Sequence, residues 1–197
     1  MTSPANARER LLEAGTRAIV AKSYNGCGLA EILGAAGVPK GSFYHYFKSK
    51  EDFGVAVIER ATEEHAQWMR ELLSDRRQPA VARLRRLFDE MRNHYAEVGP
   101  KRECLIAKLA LELCELSEPM RGAIKYSYDL FSAIIAKTLR EAQAEASICP
   151  KHDPDALASF LTNAWEGATI RMQIDRNLEP IEEYIDYVFN RLLQAHP

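Results

Sequence analysis

The sequence predicts an all-α protein of about nine helices. Three observations carry this. Apolar residues recur at three- and four-residue spacing through almost every segment, no segment alternates in the β pattern, and the Gly, Pro and Asn breaks are short and lie between periodic stretches. The 197-residue chain, 47% hydrophobic and 27% charged, has the length and composition of a globular protein with a buried core.

In RERLLEAGTRAIVAK, Leu11, Leu12, Gly15, Ala18 and Ile19 form one helical stripe. SYNGCG interrupts it with two glycines and an asparagine. LAEILGAAG is a short helix with Leu29, Ile32 and Leu33 inward and Gly37 as its C-terminal stop. VPKGSFYHYF opens on Pro39, which suits a helix start. Ser49 then caps a further helix, with Glu51 and Asp52 in the first turn, where the dipole favours acids. The remaining helices are predicted over 50–74, 79–97, 101–116, 118–146, 153–175 and 180–195, with SICPKHDP as a loop. The division falls at residue 50, with a compact three-helix domain over 1–50 and a larger helical domain over 51–197.

Charge is distributed unevenly. The chain carries a formal −2, yet residues 1–50 hold seven Lys/Arg against three acids, and the remainder holds 19 against 25. A basic quarter on an acidic body directs one face towards phosphate. No apolar run approaches the roughly 20 residues of a membrane span, and the N-terminus has no apolar signal core, so a cytoplasmic protein without a membrane partner is expected. Cys27, Cys104, Cys114 and Cys149 form no CxxC pair and no zinc-spaced cluster, so free thiols and neither metal nor cofactor are expected.

LAEILGAAG and KGSFYHYF, joined around Gly37-Val38-Pro39, have the form of a helix-turn-helix, whose second helix enters a DNA major groove. Small Ala30, Ala35 and Ala36 suit a close crossing of the two helices. At 100° per residue Phe43 and Phe47 share a face and anchor the second helix, while Tyr44 and His45 face outward. Tyr44, His45 and Lys40 supply donors for phosphate, and Lys40 and Ser42 also reach base edges. Gly41 permits close backbone approach, and Lys50 adds a phosphate contact at the start of the following helix.

GLAEILGAAGVPKGSFYHYFKSKEDF resembles the N-terminal signature of the TetR family of transcriptional regulators, and the all-α remainder has the size of that family's ligand-binding and dimerising domain. The resemblance implies a homodimeric repressor, not an enzyme, that leaves a near-palindromic DNA operator when an effector binds. It places DNA contacts on Lys40, Ser42, Tyr44, His45 and Lys50. Gly28 departs from the pattern, since Ser or Thr usually caps the second helix there and touches phosphate.

ECLIAKLALELCELSEPMR and NLEPIE further resemble the NemR-like branch, which includes the repressor of N-ethylmaleimide reductase. That branch implies a cysteine that answers electrophiles or oxidants. Cys104 fits by position, in the first turn of the helix predicted over 101–116, beside Lys101 and Arg102 and one turn from Lys108; helix dipole and cations both favour thiolate. Glu103 opposes them, and Cys114 is expected in the core. Two alternatives stay open. One is a repressor with passive cysteines that binds a small molecule without covalent chemistry, with Met91, Tyr95, Tyr128 and Trp165 as candidate pocket residues. The other is a helical thiol-based redox enzyme, which has no resolving cysteine placed for it.

Overall fold

The structure is a computed structural model that describes residues 4–99 and 104–194. Among them nine α-helices follow one another and no strand occurs: α1 (Pro4–Lys22), α2 (Leu29–Ala36), α3 (Lys40–Tyr46), α4 (Lys50–Leu72), α5 (Ala80–Val98), α6 (Leu105–Leu113), α7 (Glu118–Ala144), α8 (Pro154–Asp175) and α9 (Glu179–Tyr187). The all-α expectation is borne out. The chain forms two compact units, one of residues up to 64 with 104–127, the other of 65–103 with 128–197. The division thus places α6 and the start of α7 in the same unit as α1, α2 and α3.

In the first unit α1 packs against α2, α3 and α6. Leu11, Leu12, Ile19, Ile32, Phe43, Phe53, Val57 and Ile58 are closed to solvent. Gly15 lets α1 lie directly on α4, for a Cβ there would meet the Phe53 ring at 2.3 Å. Gly54 does the same for α4 beneath Tyr24, whose ring a Cβ would meet at 2.8 Å. Thr62 and Ser127 share a buried 2.6 Å hydrogen bond between α4 and α7. Of the three small residues expected at the crossing of α2 with α3, only Ala36 is buried; Ala30 and Ala35 face solvent.

The second unit is built on an apolar core of Leu84, Leu87, Phe88, Leu139, Leu161, Trp165, Met172 and Ile181. Burial of each such side chain contributes roughly 1.5–3 kcal/mol. Arg83 lies within it, 3% exposed. Its guanidinium donates to the carbonyls of Leu73 and Gln78 and to Glu141 at 2.8 Å, joining the α4–α5 turn to α7. Burial works to raise the Glu141 carboxyl, but hydrogen bonds from Arg83 and Arg76 outweigh it and hold that group below its usual range.

Helix ends moved where caps decided them. α7 stops at Ala144 because Ala146 turns to φ 54° and the Ser147 N–H closes on the Ala142 carbonyl at 2.9 Å. Asp153 caps α8 through the N–H groups of Asp155 and Ala156, with Pro154 at the first position. The last predicted helix is α9 followed by a π turn over Val188–Leu192, closed from the Leu193 N–H to the Val188 carbonyl; position 195 lies outside the described residues. α6 begins at Leu105, and the expected start at 101 also lies outside them.

Burial sets the titration of His65 and Glu166 in this unit, and pushes the Tyr184 hydroxyl up as well. Burial holds His65 down at about 4, so the imidazole between Trp68 and Phe131 is neutral near pH 7. Burial pushes the Glu166 carboxyl up to about 7, and its Oε2 has no hydrogen-bond partner. The folded state therefore holds the Glu166 proton more tightly than the unfolded chain. This contribution is full below the ordinary carboxylate range and is lost as pH rises through about 7. Urea midpoints of the wild type should fall by the equivalent of about 2–3 kcal/mol more between pH 5 and pH 8 than those of Glu166→Gln; parallel profiles would remove Glu166 as the cause.

Candidate nucleic-acid interface

The candidate interface is carried by α3, and its geometry begins at the turn before it. Gly37 adopts φ 61°, and the N–H groups of Gly37 and Val38 close on the carbonyls of Gly34 and Leu33, which ends α2. Pro39, at φ −62°, then starts α3. Inside, Phe43, Phe47 and Phe53 form a three-ring cluster with centroids 5.0–5.5 Å apart. Phe43 is fully buried and Phe47 is 3% exposed, whereas Tyr44 is 53% exposed. Lys40, Gly41 and His45 are exposed and Ser42 is half-buried. A Cβ on Gly41 would meet nothing within 4 Å, so the backbone there is open to an approaching ligand. One short helix thus brings five of the six candidate DNA contacts together on its outer side.

Lys50 has other contacts. Its ammonium donates to the carbonyls of Tyr24 at 2.8 Å and Cys27 at 2.7 Å, and it lies 4.5 Å from the centre of the Tyr24 ring. It ties the α1–α2 turn to the start of α4. Ser49 caps α4 as expected, accepting the Asp52 N–H at 3.0 Å, and Asp52 accepts the Lys48 N–H at 2.8 Å, which fixes the chain as it leaves α3. Arg10 donates to the Ala36 carbonyl at 3.0 Å, and Arg60 meets Glu9, Glu13 and Glu64 between α1 and α4. The spacing pattern missed these positioning residues because their partners are backbone atoms or lie far away in the chain. Gly28 caps α2 without a side-chain hydrogen bond.

Cys104 is the residue immediately before α6, half-buried, and its carbonyl accepts the Lys108 N–H at 3.0 Å. The Lys108 ammonium reaches the Val20 carbonyl at 3.1 Å. Lys101, Arg102 and Glu103 lie outside the described residues. Cys27 is closed to solvent, and burial pushes its thiol up, out of the reactive range, despite Lys50. Cys114 is half-buried at the end of α6, and Cys149 is half-buried in the α7–α8 loop. None of the four forms a disulfide.

The four candidate pocket residues all belong to the second unit. Trp165 and Tyr95 are closed into its core, Trp165 against Phe88 and Tyr184 with centroids 5.2 and 5.3 Å away. Met91 and Tyr128 are half-buried. A 330 Å³ hollow between α4 and α7, lined by Arg70, Arg76, Lys137 and Ile134, includes none of the four. Among the described residues no His/Cys/Asp/Glu group could hold a metal ion, and no helix is long and apolar enough to cross a membrane.

The chain matches two family models: bacterial regulatory proteins of the tetR family over residues 11–57, and the tetracyclin repressor-like C-terminal domain over residues 80–188. It is 35% identical to the HTH-type transcriptional repressor DhaR of Mycobacterium sp. strain GP1, covering 95% of this chain and 93% of that one. It is equally 35% identical to the HTH-type transcriptional repressor NemR of Escherichia coli K12, covering 93% and 92%. The crystal structure of reduced E. coli NemR superposes with a TM-score of 0.89 at 34% identity, over 97% of this chain and 98% of that one.

Because the Lys50 ammonium joins two carbonyls that lead into α2, Lys50→Met should loosen α2 and α3 selectively. Hydrogen exchange of their amides should speed up by about ten-fold while α8 and α9 stay unchanged, the scale expected for one charge-assisted contact; uniform exchange in both units would refute the assignment.

Proposed function

The chain belongs to the TetR family of bacterial transcriptional regulators, and from this premise we propose that it acts as a homodimeric repressor that an electrophile or oxidant releases from a near-palindromic operator. The observation that carries the reading is α3. It is a helix with two buried rings on one side and Lys40, Gly41, Ser42, Tyr44 and His45 on the other. This row offers hydroxyl, imidazole and ammonium donors to phosphate and base edges from an anchored backbone. Lys50 acts by fixing the turn that precedes α2. Residues 1–50 read DNA and 51–197 sense and pair, in the cytoplasm where the chromosome lies.

An apolar row on α8 supports pairing of two copies: Phe160, Ile170 and Ile174 are 54%, 42% and 66% exposed, at spacings that keep them on one side of the helix with Asn163 and Gly167. Tyr187 on α9 is 59% exposed as well. A two-fold pair buries each such row against its copy and matches a near-palindromic site. The position of Cys104 at the start of α6 supports the sensing role, and the repressor names of DhaR and NemR support repression. The closed packing of Tyr95 and Trp165 favours this over a non-covalent pocket at Met91, Tyr95, Tyr128 and Trp165.

An operator selected by the wild type from random duplex DNA provides the test. Lys40→Ala and Tyr44→Ala should each weaken binding about ten-fold or more, with Lys40→Ala lowering the slope of log affinity against log salt by about one. Sedimentation should show a dimer for both variants and for wild type. Wild-type affinity in the Tyr44→Ala variant, or a monomeric wild type, would count against the reading. N-ethylmaleimide should release wild type from that DNA and leave Cys104→Ser bound; equal release of both would eliminate Cys104 as the sensor.

A further inference from the structure

Helix α1 ends in an unusual way. The Ser23 N–H still bonds to the Ile19 carbonyl at 2.8 Å, but the next helical pair, the Tyr24 N–H with the Val20 carbonyl, is split. Both halves are taken by α6. Glu112 Oε2 accepts the Tyr24 N–H at 2.9 Å and its Oε1 accepts the Asn25 N–H at 2.7 Å. Lys108, one turn earlier on the same side of α6, donates to the Val20 carbonyl at 3.1 Å. The signs match the partners, an anion on backbone N–H groups and a cation on a last-turn carbonyl. Between them Ser23 is held at φ 96°, a region that residues with a side chain avoid.

We propose that Lys108 and Glu112 are positioning residues for DNA reading. They hold α1 broken at Ser23 and so fix where α2 and α3 begin. With α6 in place the helical pair is replaced by two charge-assisted contacts and the strain at Ser23 is sustained. When α6 shifts, the Tyr24 N–H rejoins the Val20 carbonyl, Ser23 relaxes, and the stretch leading into α2 turns with it. The element has two discrete arrangements, as a switch requires. Gly28 gives α2 no side-chain cap, so the seating of the reading helices depends on this turn, which Lys50 grips from α4. Cys104 stands at the start of the same α6, one turn before Lys108, which makes α6 the part that a modified thiol would displace. The proposal rests on α3 being the DNA-reading helix.

The test uses full-length protein, the duplex selected by wild type, and a temperature at which circular dichroism shows every variant folded. Glu112→Gln keeps the shape but offers one acceptor where two amides need it. It should weaken binding about ten-fold with the salt slope unchanged, because the number of phosphate contacts stays the same. Ser23→Gly, which accepts positive φ without strain, should restore most of the affinity in the Glu112→Gln background. A Glu112→Gln variant that binds like wild type, one whose salt slope drops as for Lys40→Ala, or a double variant no tighter than the single would each overturn the clamp. Wild type that selects no DNA would overturn the repressor reading, and the clamp's role with it.

Discussion

The packing of Phe43 and Phe47 against Phe53 is the constraint on which the outer side of α3 depends. α3 spans Lys40–Tyr46, two turns, far below the roughly 12–15 residues at which an isolated helix becomes even marginal in water. Its order comes from the rings it buries against α4. That anchoring leaves the opposite side free of structural duty, so Tyr44 and His45 are exposed on a backbone they do not have to stabilise. Without this cluster α3 would lose its order to conformational entropy.

Around the ring cluster, polar contacts place rather than stabilise. Lys50, Arg10, Lys108 and Glu112 each pair with backbone atoms at a helix end or in a turn. Such atoms are unsatisfied by the helices themselves, so a charged side chain gains a partner without displacing a ladder bond. The turn from Tyr24 to Cys27 is consequently held from α4 and α6 together, and burial, aided by the nearby Glu51, Cys27 and Glu112, pushes the Tyr24 hydroxyl up to about 12. The second unit uses the same device at Arg83, where a buried guanidinium closes the α4–α5 turn, and at Glu145, whose carboxylate accepts the Ala80 N–H at the start of α5.

Much of the first unit was legible because period and chemistry agree there. The 100° step separated Phe43 and Phe47 from Tyr44 and His45, and Gly37 and Ser49 fall at a helix stop and a cap for local reasons. The charge of Lys50 and its position beside a helix start fit a phosphate contact, whereas the carbonyls its ammonium meets lie 26 and 23 residues earlier and leave no trace in the local pattern. The π turn after α9 is invisible in the apolar spacing, which it leaves nearly intact while changing the hydrogen bonds.

The sequence by itself determined the helical class, the order of the elements, the division of the rings on α3 and the family signature, because each is a property of neighbours a few positions apart. Only the tertiary structure decided that α6 packs in one unit with α1, α2 and α3, that the Lys50 ammonium meets the Tyr24 and Cys27 carbonyls, that Tyr95 and Trp165 close into a core, and that Glu112 and Lys108 take over the two halves of a broken helical pair, each 88 residues away. The physical reason is that these are contacts of charged or aromatic tips with distant backbone and core atoms. No local period encodes them; they exist only once the helices have packed.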